Sequence, residues 1–366
     1  MNAGDLNQAP AVKLPTASLI LRLAMIGAII AGIAGLFLYA GGWFTPRALS
    51  QKVMINTFEE ANGAHPGFRR NHAKGVCIRG FFESNGNGAE LSRAVVFKRG
   101  RMPVIGRFAL AGGQPYAADA PHTVRSMALL FQLPDGEEWR TGMNNIPVFV
   151  VNSARGFYDQ LLASAPDPAT GKPDPARMSA FLEKHPESAK GIDLIRKEPF
   201  SSGFANSTYR SLNAFRFIHE NGAATPVRWA MTPVQPFEAL SATQPGNAGT
   251  NYLFDALIAD IHQHPLQWHL IITVGQAGDP TDDATLPWPA DRRQVDAGTL
   301  TIDQVESEDT SPARDINFDP LVLPRGIAAS DDPLLSARSA AYSESFTRRE
   351  GEHKEPSAVS TAETAK

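Results

Sequence analysis

The sequence predicts an α+β protein organised around a closed antiparallel β-barrel, with helices between and after its strands. Short strand-like runs fall into two sets, and turn residues such as Asn85-Gly86-Asn87-Gly88 and Asn221-Gly222 separate the runs within each set. Segments with helical spacing lie between the two sets and at the carboxyl end. Many short strands in two sets, interrupted by helices, are typical of such a barrel.

The amino-terminal segment predicts one membrane-spanning helix. From Leu23 to Phe44 the chain has no charged residue, and a helix of this length spans about 33 Å, enough for the hydrocarbon core of a bilayer. Tyr39 and Trp43, near its end, suit the membrane interface. We therefore expect residues 23–44 to lie in the lipid bilayer.

A cleaved signal peptide is the closest alternative, because Lys13 and Arg22 could form its charged region. The apolar run is long for a signal peptide, and Tyr39-Ala40-Gly41 is a poor cleavage site, so an uncleaved anchor is favoured. Basic residues flank the run on both sides and do not decide its orientation. Because a short unfolded tail is more easily kept in the cytoplasm than a folded domain, we expect the folded domain to be periplasmic or extracytoplasmic.

The remaining elements are assigned from their periodicity and turn signals. Strands are predicted at 76–83, 93–98, 104–110, 124–132, 213–220, 225–232 and 266–275, and helices at 155–164, 176–185 and 250–262, with 276–330 irregular. The predicted organisation is a tail (1–20), a transmembrane anchor (21–44), a connector (45–59), a folded domain (60–350) and a charged, disordered tail (351–366).

Composition excludes several functional classes. Hydrophobic residues make up 43% of the chain and charged residues 20%, as in an ordinary globular protein. The net charge of −4 argues against nucleic acid as a partner. The only cysteine, Cys77, excludes an intrachain disulfide and any site with several cysteine ligands, and we expect it to be a packed strand residue.

The last predicted helix carries a distinctive stripe. Asp332-Pro333 is a good helix start, and spacings of four and seven residues place Arg338, Tyr342 and Arg349 on one face. An adjacent cation favours the phenolate form of a tyrosine, and a phenolate can ligate ferric haem iron. Alone, the stripe would be typical of a solvated helix face.

A second motif lies far upstream, in the run Arg69-Arg70-Asn71-His72-Ala73-Lys74-Gly75 followed by Gly80-x-Phe82-Glu83. Here the chain resembles the catalase family, whose signature around the distal histidine reads Arg-x-x-His-Ala-Lys-Gly and then Gly-x-Phe-Glu. Further blocks follow in the family order: Arg107-Phe108, Val124-Arg125, Trp139, Asn144-Asn145-Ile146-Pro147-Val148-Phe149, Phe318-Asp319-Pro320, Pro324-x-Gly326-Ile327 and Arg338-x-x-x-Tyr342.

The resemblance implies an eight-stranded barrel with a haem helix packed against it, one ferric haem b, and a peroxide substrate. It implies that His72 is the distal acid and base and that Asn144 donates a hydrogen bond to the peroxide. Tyr342 is implied to be the axial ligand of the haem iron, with Arg338 keeping it ionised. The remaining matched positions are implied to bind propionates, stabilise the proximal side or line the distal pocket: Arg69, Arg107, Arg349, Phe149 and Phe157.

Departures from common catalases bear on the activity. Residue 71 is Asn instead of Val, residue 109 is Ala instead of a Ser that bonds the histidine, and the long carboxyl-terminal domain is missing. This short form resembles the catalase-related peroxidases, which implies oxidation of an organic electron donor. True catalase activity and isomerisation of fatty-acid hydroperoxides, suggested by Asn71, stay open as alternatives.

Two other functions are less consistent with the sequence. His262, His264 and His269 could suggest a non-haem metal site, but they have no acidic partner at ligand spacing. A protein that only carries haem would need Tyr342 but not His72 and Asn144. The oligomeric state is left open, with a homo-oligomer as one option.

Overall fold

A computed structural model describes residues 15–40, 49–167, 170–241 and 249–361, which fall into two units, 1–50 and 51–366. In the first unit, helix α1 (Thr16–Ala40) begins earlier than the predicted span. Its apolar side chains are exposed, and it is long and apolar enough to cross a membrane, a test that a signal sequence also passes. Residues 41–44 of the predicted span, and most of the predicted tail 1–20, lie outside the described residues.

The second unit is built on the predicted antiparallel barrel. Strands β1–β5 and β7–β9 close into a ring of eight, with β7 pairing β8, while β6 and β10 extend the sheet beyond β7. The strands are β1 (Gly75–Ser84), β2 (Gly100–Leu110), β3 (Arg125–Gln132), β4 (Glu138–Asn144), β5 (Tyr209–Arg210), β6 (Phe215–Ile218), β7 (Ala224–Pro233), β8 (Leu266–Val274), β9 (Gln294–Glu306) and β10 (Ile327–Ala329). The predicted fold class is confirmed.

Aromatic side chains fill the barrel. Phe108 lies 5.5–5.7 Å, between ring centroids, from Phe204, Tyr209 and Trp268, and Trp139 stacks on Phe131 at 4.8 Å. Each fully buried apolar side chain of this size contributes roughly 1.5–3 kcal/mol. The interior is therefore a packed core, and a cofactor must bind outside it.

Helices cover the outside of the barrel. They are α2 (Gln51–Asn62), α3 (Ala154–Ser164), α4 (Pro175–Lys184), α5 (Pro186–Lys197), α6 (Tyr252–Gln263) and α7 (Pro333–Glu350). Asp332 caps α7 as predicted, since its Oδ1 accepts from Leu334 N at 2.9 Å. Helices α2 and α3 pack against α7, so the helix that carries Arg338 and Tyr342 is supported by two earlier helices of the domain.

Several local predictions need correction. Within the run 93–98, predicted as a strand, Val95–Phe97 forms a 3-10 turn whose apolar residues are buried, because a short apolar run does not distinguish strand from turn. Strand β9 lies in the segment predicted to be irregular, where polar residues and Gly298 interrupt its alternation. Strand β4 and helix α5 were not predicted.

The two ends of the folded domain also differ from the prediction. Residues 51–59 of the predicted connector form most of α2, in which Met54, Ile55 and Phe58 are buried. Residues 351–361, predicted to be disordered, pack on the domain: Glu352 pairs with Arg70, and Val359 is 1% exposed. Charge pairing and one apolar anchor outweigh the polar composition. Residues 362–366 lie outside the described part of the chain.

Candidate functional site

Helix α7 presents Arg338 and Tyr342 to strand β4. A Cβ built on Gly142 of β4 would lie 3.2 Å from Tyr342 Oη and 3.6 Å from Arg338 Nη2. Arg338 Nη2 also donates to Gly142 O at 3.4 Å. The guanidinium and the phenol therefore lie beside the same point of the strand, where a larger residue would require the phenol oxygen to move.

Two further residues fix the position of Arg338. Its Nη1 donates to Asn213 Oδ1 at 2.5 Å, and Asn213 Nδ2 donates to Asp332 Oδ2 at 2.7 Å. Asp332 thus both caps α7 and orients the amide that holds the arginine. Sequence reasoning missed Asn213, because it lies 125 residues from Arg338 and no local pattern marks it.

His72 has a left-handed backbone, with φ of 56°, a conformation that costs a non-glycine residue about 1–3 kcal/mol. The Asn71 side chain stabilises it, since its Oδ1 accepts from His72 N at 3.0 Å and from Gly112 N at 2.9 Å. Arg107 Nη1 donates to His72 O at 2.6 Å. Asn71, the departure noted in the sequence, therefore bonds the backbone rather than the imidazole.

Ser126 holds the imidazole of His72. Its Oγ lies 3.0 Å from His72 Nδ1 and donates to Asn144 Oδ1 at 2.5 Å. Because a hydroxyl has one proton, it must accept from Nδ1–H when it donates to Asn144. This arrangement leaves Nε2 of His72 as the free basic nitrogen. Sequence reasoning missed Ser126, although the pairing of β3 with β4 sets it directly opposite Asn144.

The hairpin residues that contact the His72 imidazole and those that contact Tyr342 and Arg338 lie on one face of β3 and β4. Ser126 pairs with Asn144 and Ala128 with Gly142, and alternate residues of a strand share a face. The imidazole contact and the phenol contact are thus about 7 Å apart along the strand. At the phenol contact the hairpin carries only Ala128 and Gly142, neither of which has a side chain larger than methyl.

The environment keeps His72 neutral. The pKa of His72 is lowered to about 3, mainly by burial and then by the cations Arg107, Arg338 and Arg69, while a backbone hydrogen bond with Leu110 opposes the shift. At neutral pH the imidazole is therefore a base without a charge.

Two of the predicted arginines, Arg69 and Arg107, contact a buried carboxylate that the sequence did not predict, and its charge also acts on Arg349. Arg107 Nε donates to Glu308 Oε1 at 2.6 Å, and Arg69 Nη1 lies 3.5 Å from the same oxygen. Burial, followed by the charge of Arg107, lowers the pKa of Arg349 to about 10. Glu308 itself is 3% exposed. It escaped notice because its segment had been predicted as irregular.

The two predicted pocket phenylalanines pack together near α3. The ring centroids of Phe149 and Phe157 lie 5.7 Å apart, and Phe157 lies 5.8 Å from Phe58 of α2. Neither ring stacks on His72 in the part of the chain that the structure describes. Their position next to a haem pocket stays a prediction.

The family model named Catalase matches residues 42–363. The chain belongs to the catalase family. A catalase-related peroxidase of Synechococcus elongatus is 37% identical over 306 residues, 84% of this chain and 90% of that protein. Another, of Mycolicibacterium paratuberculosis, is 31% identical over 304 residues, 83% of this chain and 96% of that protein.

Solved structures show the same fold. A fungal catalase superimposes with a TM-score of 0.71 at 20% identity, covering 83% of this chain and 64% of that one. A bacterial catalase gives 0.69 at 20% identity, covering 82% of this chain and 61% of that one. The protein is an oxidoreductase that acts on peroxide.

Members of the catalase family generally bind haem, and the residues present fit that group. Arg349 Nε is buried and has no hydrogen-bond partner within the described residues, as expected of a donor that awaits an anion. The phenol of Tyr342 and the imidazole of His72 contact neighbouring residue pairs on one face of the β3–β4 hairpin. Arg349 keeps a guanidinium nitrogen available for a carboxylate.

Proposed function

We propose that this protein is a ferric haem b peroxidase that reduces hydrogen peroxide or organic hydroperoxides with electrons from an organic donor. The observation that carries the proposal is the shared face of the β3–β4 hairpin. His72, Ser126 and Asn144 lie at one end of that face, and Arg338 and Tyr342 lie at the other. Bound haem would supply an iron that coordinates the peroxide and stores its oxidising equivalents.

The proximal residues prepare an anionic ligand. Tyr342 would hold the iron through its phenolate oxygen, which lies beside the same Gly142 as the Arg338 guanidinium. Asn213 and Asp332 keep the guanidinium in place. Arg69, Arg107 and Arg349 would bind the propionates, because guanidinium and carboxylate match in shape and charge.

The distal residues move one proton. His72 Nε2 would take the proton from the near oxygen of the peroxide and return it to the far oxygen, which makes that oxygen a better leaving group. Ser126 selects the tautomer with a free Nε2 and turns the oxygen of Asn144 towards itself. The amide Nδ2 of Asn144 is then available to donate to the peroxide without competing for its proton. Phe149 and Phe157 would line this side of the pocket.

The geometry at Asn71 argues against the isomerase alternative but not against the catalase alternative. Isomerisation of fatty-acid hydroperoxides was suggested by a polar residue next to the histidine, but the oxygen of Asn71 is occupied by two backbone donors. Dismutation of hydrogen peroxide uses the same His72 and stays an alternative.

The balance between peroxidase and catalase can be tested on the purified holoenzyme. We expect donor oxidation to exceed oxygen release, because the two similar peroxidases match this chain over nearly their whole lengths. Oxygen evolution and oxidation of an aromatic donor should be measured side by side, with an unsaturated fatty-acid hydroperoxide as a third substrate. Rapid oxygen release with negligible donor oxidation would indicate a true catalase. Rearrangement of the lipid hydroperoxide without a donor would indicate the isomerase.

We also propose that the amino-terminal helix anchors the enzyme with its catalytic domain outside the cytoplasm. The exposed apolar surface of α1 supports this. We expect the protein to stay in the membrane fraction after carbonate extraction, with its amino terminus intact by mass spectrometry. A mature protein beginning near residue 41 or later would identify a signal peptide instead. A protein that begins at residue 49, and so lacks the helix, is the control and should appear in the soluble fraction.

A further inference from the structure

The buried carboxylate of Glu308 lies among three cations. Arg107 donates two hydrogen bonds to it: Nε to Oε1 at 2.6 Å and Nη2 to Oε2 at 3.3 Å. Arg69 Nη1 lies 3.5 Å from Oε1. Glu308, Arg107 and Arg349 are each less than 5% exposed, so these charges are poorly screened by water.

The positive charges of Arg69, Arg107 and Arg349 repel one another. Burial and then the cations Arg107 and Arg349 lower the pKa of Arg69 well below its usual value, while Glu308 raises it. The pKa of Arg349 is also raised by Glu308 against the effect of Arg107. A buried cation without a counter-charge strongly destabilises the folded state. The Glu308 carboxylate reduces this destabilisation for the buried arginines.

Neighbouring carboxylates are engaged elsewhere. Asp315 pairs with Lys354, and Asp309 pairs with Arg314 at 3.1 Å. Asp315 also raises the pKa of Arg349, but its contact is with Lys354, whereas Glu308 directly contacts Arg107 and Arg69. Glu308 is therefore the carboxylate in contact with the cluster of Arg69, Arg107 and Arg349. Three cations and one anion leave a charge of two, which matches the two propionates of a haem.

We propose that Glu308 sets the charge of the propionate end of the haem site, so that the arginine cluster is neutral when haem is bound. This inference rests on the proposed function. Glu308 acts through the arginines and is a positioning and charge-setting residue, not a catalytic one.

Removing the charge should alter the haem in a predictable direction. In Glu308→Gln the site gains one positive charge, which stabilises the form of the haem that holds an additional electron. We expect the ferric/ferrous midpoint potential to shift upwards, with haem still bound. Glu308→Asp keeps the charge and changes only the geometry, so its potential should stay near that of the wild type.

The matched control is Glu306→Gln, two residues away at the end of β9. Glu306 pairs with Arg79 at 2.5 Å, and both side chains are partly exposed, at 27% and 36%. Its loss removes the same charge at a similar place in the chain but outside the cluster, so the potential should not change.

A double variant separates charge from structure. Arg69→Gln with Glu308→Gln restores the net charge of the cluster, and its potential should return towards the wild-type value. A purely structural salt bridge would change the stability of these variants but would not make their midpoint potentials follow the net charge of the cluster. Midpoint potentials should be measured by spectroelectrochemistry on holoenzymes of verified haem content.

The outcomes are distinct. An unshifted potential in Glu308→Gln, or an equal shift in Glu308→Asp, would overturn the role of Glu308. If Glu308→Gln does not fold, Arg69→Gln still decides, because loss of one positive charge from the cluster should lower the potential and the double variant should restore it. A wild-type protein that binds no haem would contradict the proposed function itself.

Discussion

Replacing His72 by alanine is expected to slow the reaction with peroxide at least about a hundredfold while haem stays bound. The imidazole is buried and neutral, and the Ser126 hydroxyl leaves its Nε2 free to accept a proton. Ser126 and Asn144, which are bonded to each other, cannot replace that nitrogen, because neither a hydroxyl nor an amide is a base near neutral pH. The rate should be followed by stopped-flow absorbance on the haem band.

His269→Ala provides the control for this experiment. His269 is on β8, where its Nδ1 lies 3.3 Å from the half-exposed Asp296, so its loss should leave the peroxide rate unchanged. A wild-type rate in His72→Ala would refute the acid–base role. A variant that has lost its haem would not bear on that role, so haem content must be measured first.

The barrel was predictable because its signal is local and repeated. Alternating apolar residues and turn dipeptides marked β1, β2, β3, β7 and β8. Strand β9 escaped because only Val295, Leu300, Ile302 and a few small residues face the core, between polar positions. Its place is determined by pairing with β1 and β8, which no local window contains.

The candidate site was predictable only in part, for a related reason. Family blocks marked the side chains that would touch haem or peroxide, such as His72 and Tyr342. The residues that hold them in place come from distant parts of the chain: Ser126 for the imidazole, Asn213 for Arg338, and Glu308 for Arg107. A supporting contact can be made by many residue types from many positions, so it leaves no fixed spacing in the sequence.

The departure at residue 109 illustrates this point. The sequence shows Ala109 where common catalases have a serine that bonds the histidine, which predicts a loosely held imidazole. The structure instead supplies a hydroxyl from Ser126 on the neighbouring strand β3. Ser126 pairs directly with Ala109 across β2 and β3, so a hydroxyl one strand away contacts the imidazole where Ala109 has none.

Substituting Tyr342 by phenylalanine is expected to abolish haem retention or to shift the spectrum to a form without a phenolate ligand. The change deletes one oxygen beside Gly142 and leaves the ring in place, so the barrel should fold as before. Without the phenolate, the Arg338 cation would face the haem with no anion to stabilise. Haem content and the absorption spectrum of the purified variant measure the effect.

Tyr209→Phe is the matched control, because Tyr209 is a fully buried tyrosine whose hydroxyl donates to Phe204 O at 2.8 Å. Deleting that hydroxyl should cost about 1 kcal/mol of stability and leave the haem spectrum unchanged. If Tyr342→Phe kept both its haem and the wild-type spectrum, the axial ligand would have to be sought elsewhere. A loss of haem in both variants would point to general destabilisation, whereas a loss in Tyr342→Phe alone would support Tyr342 as the ligand.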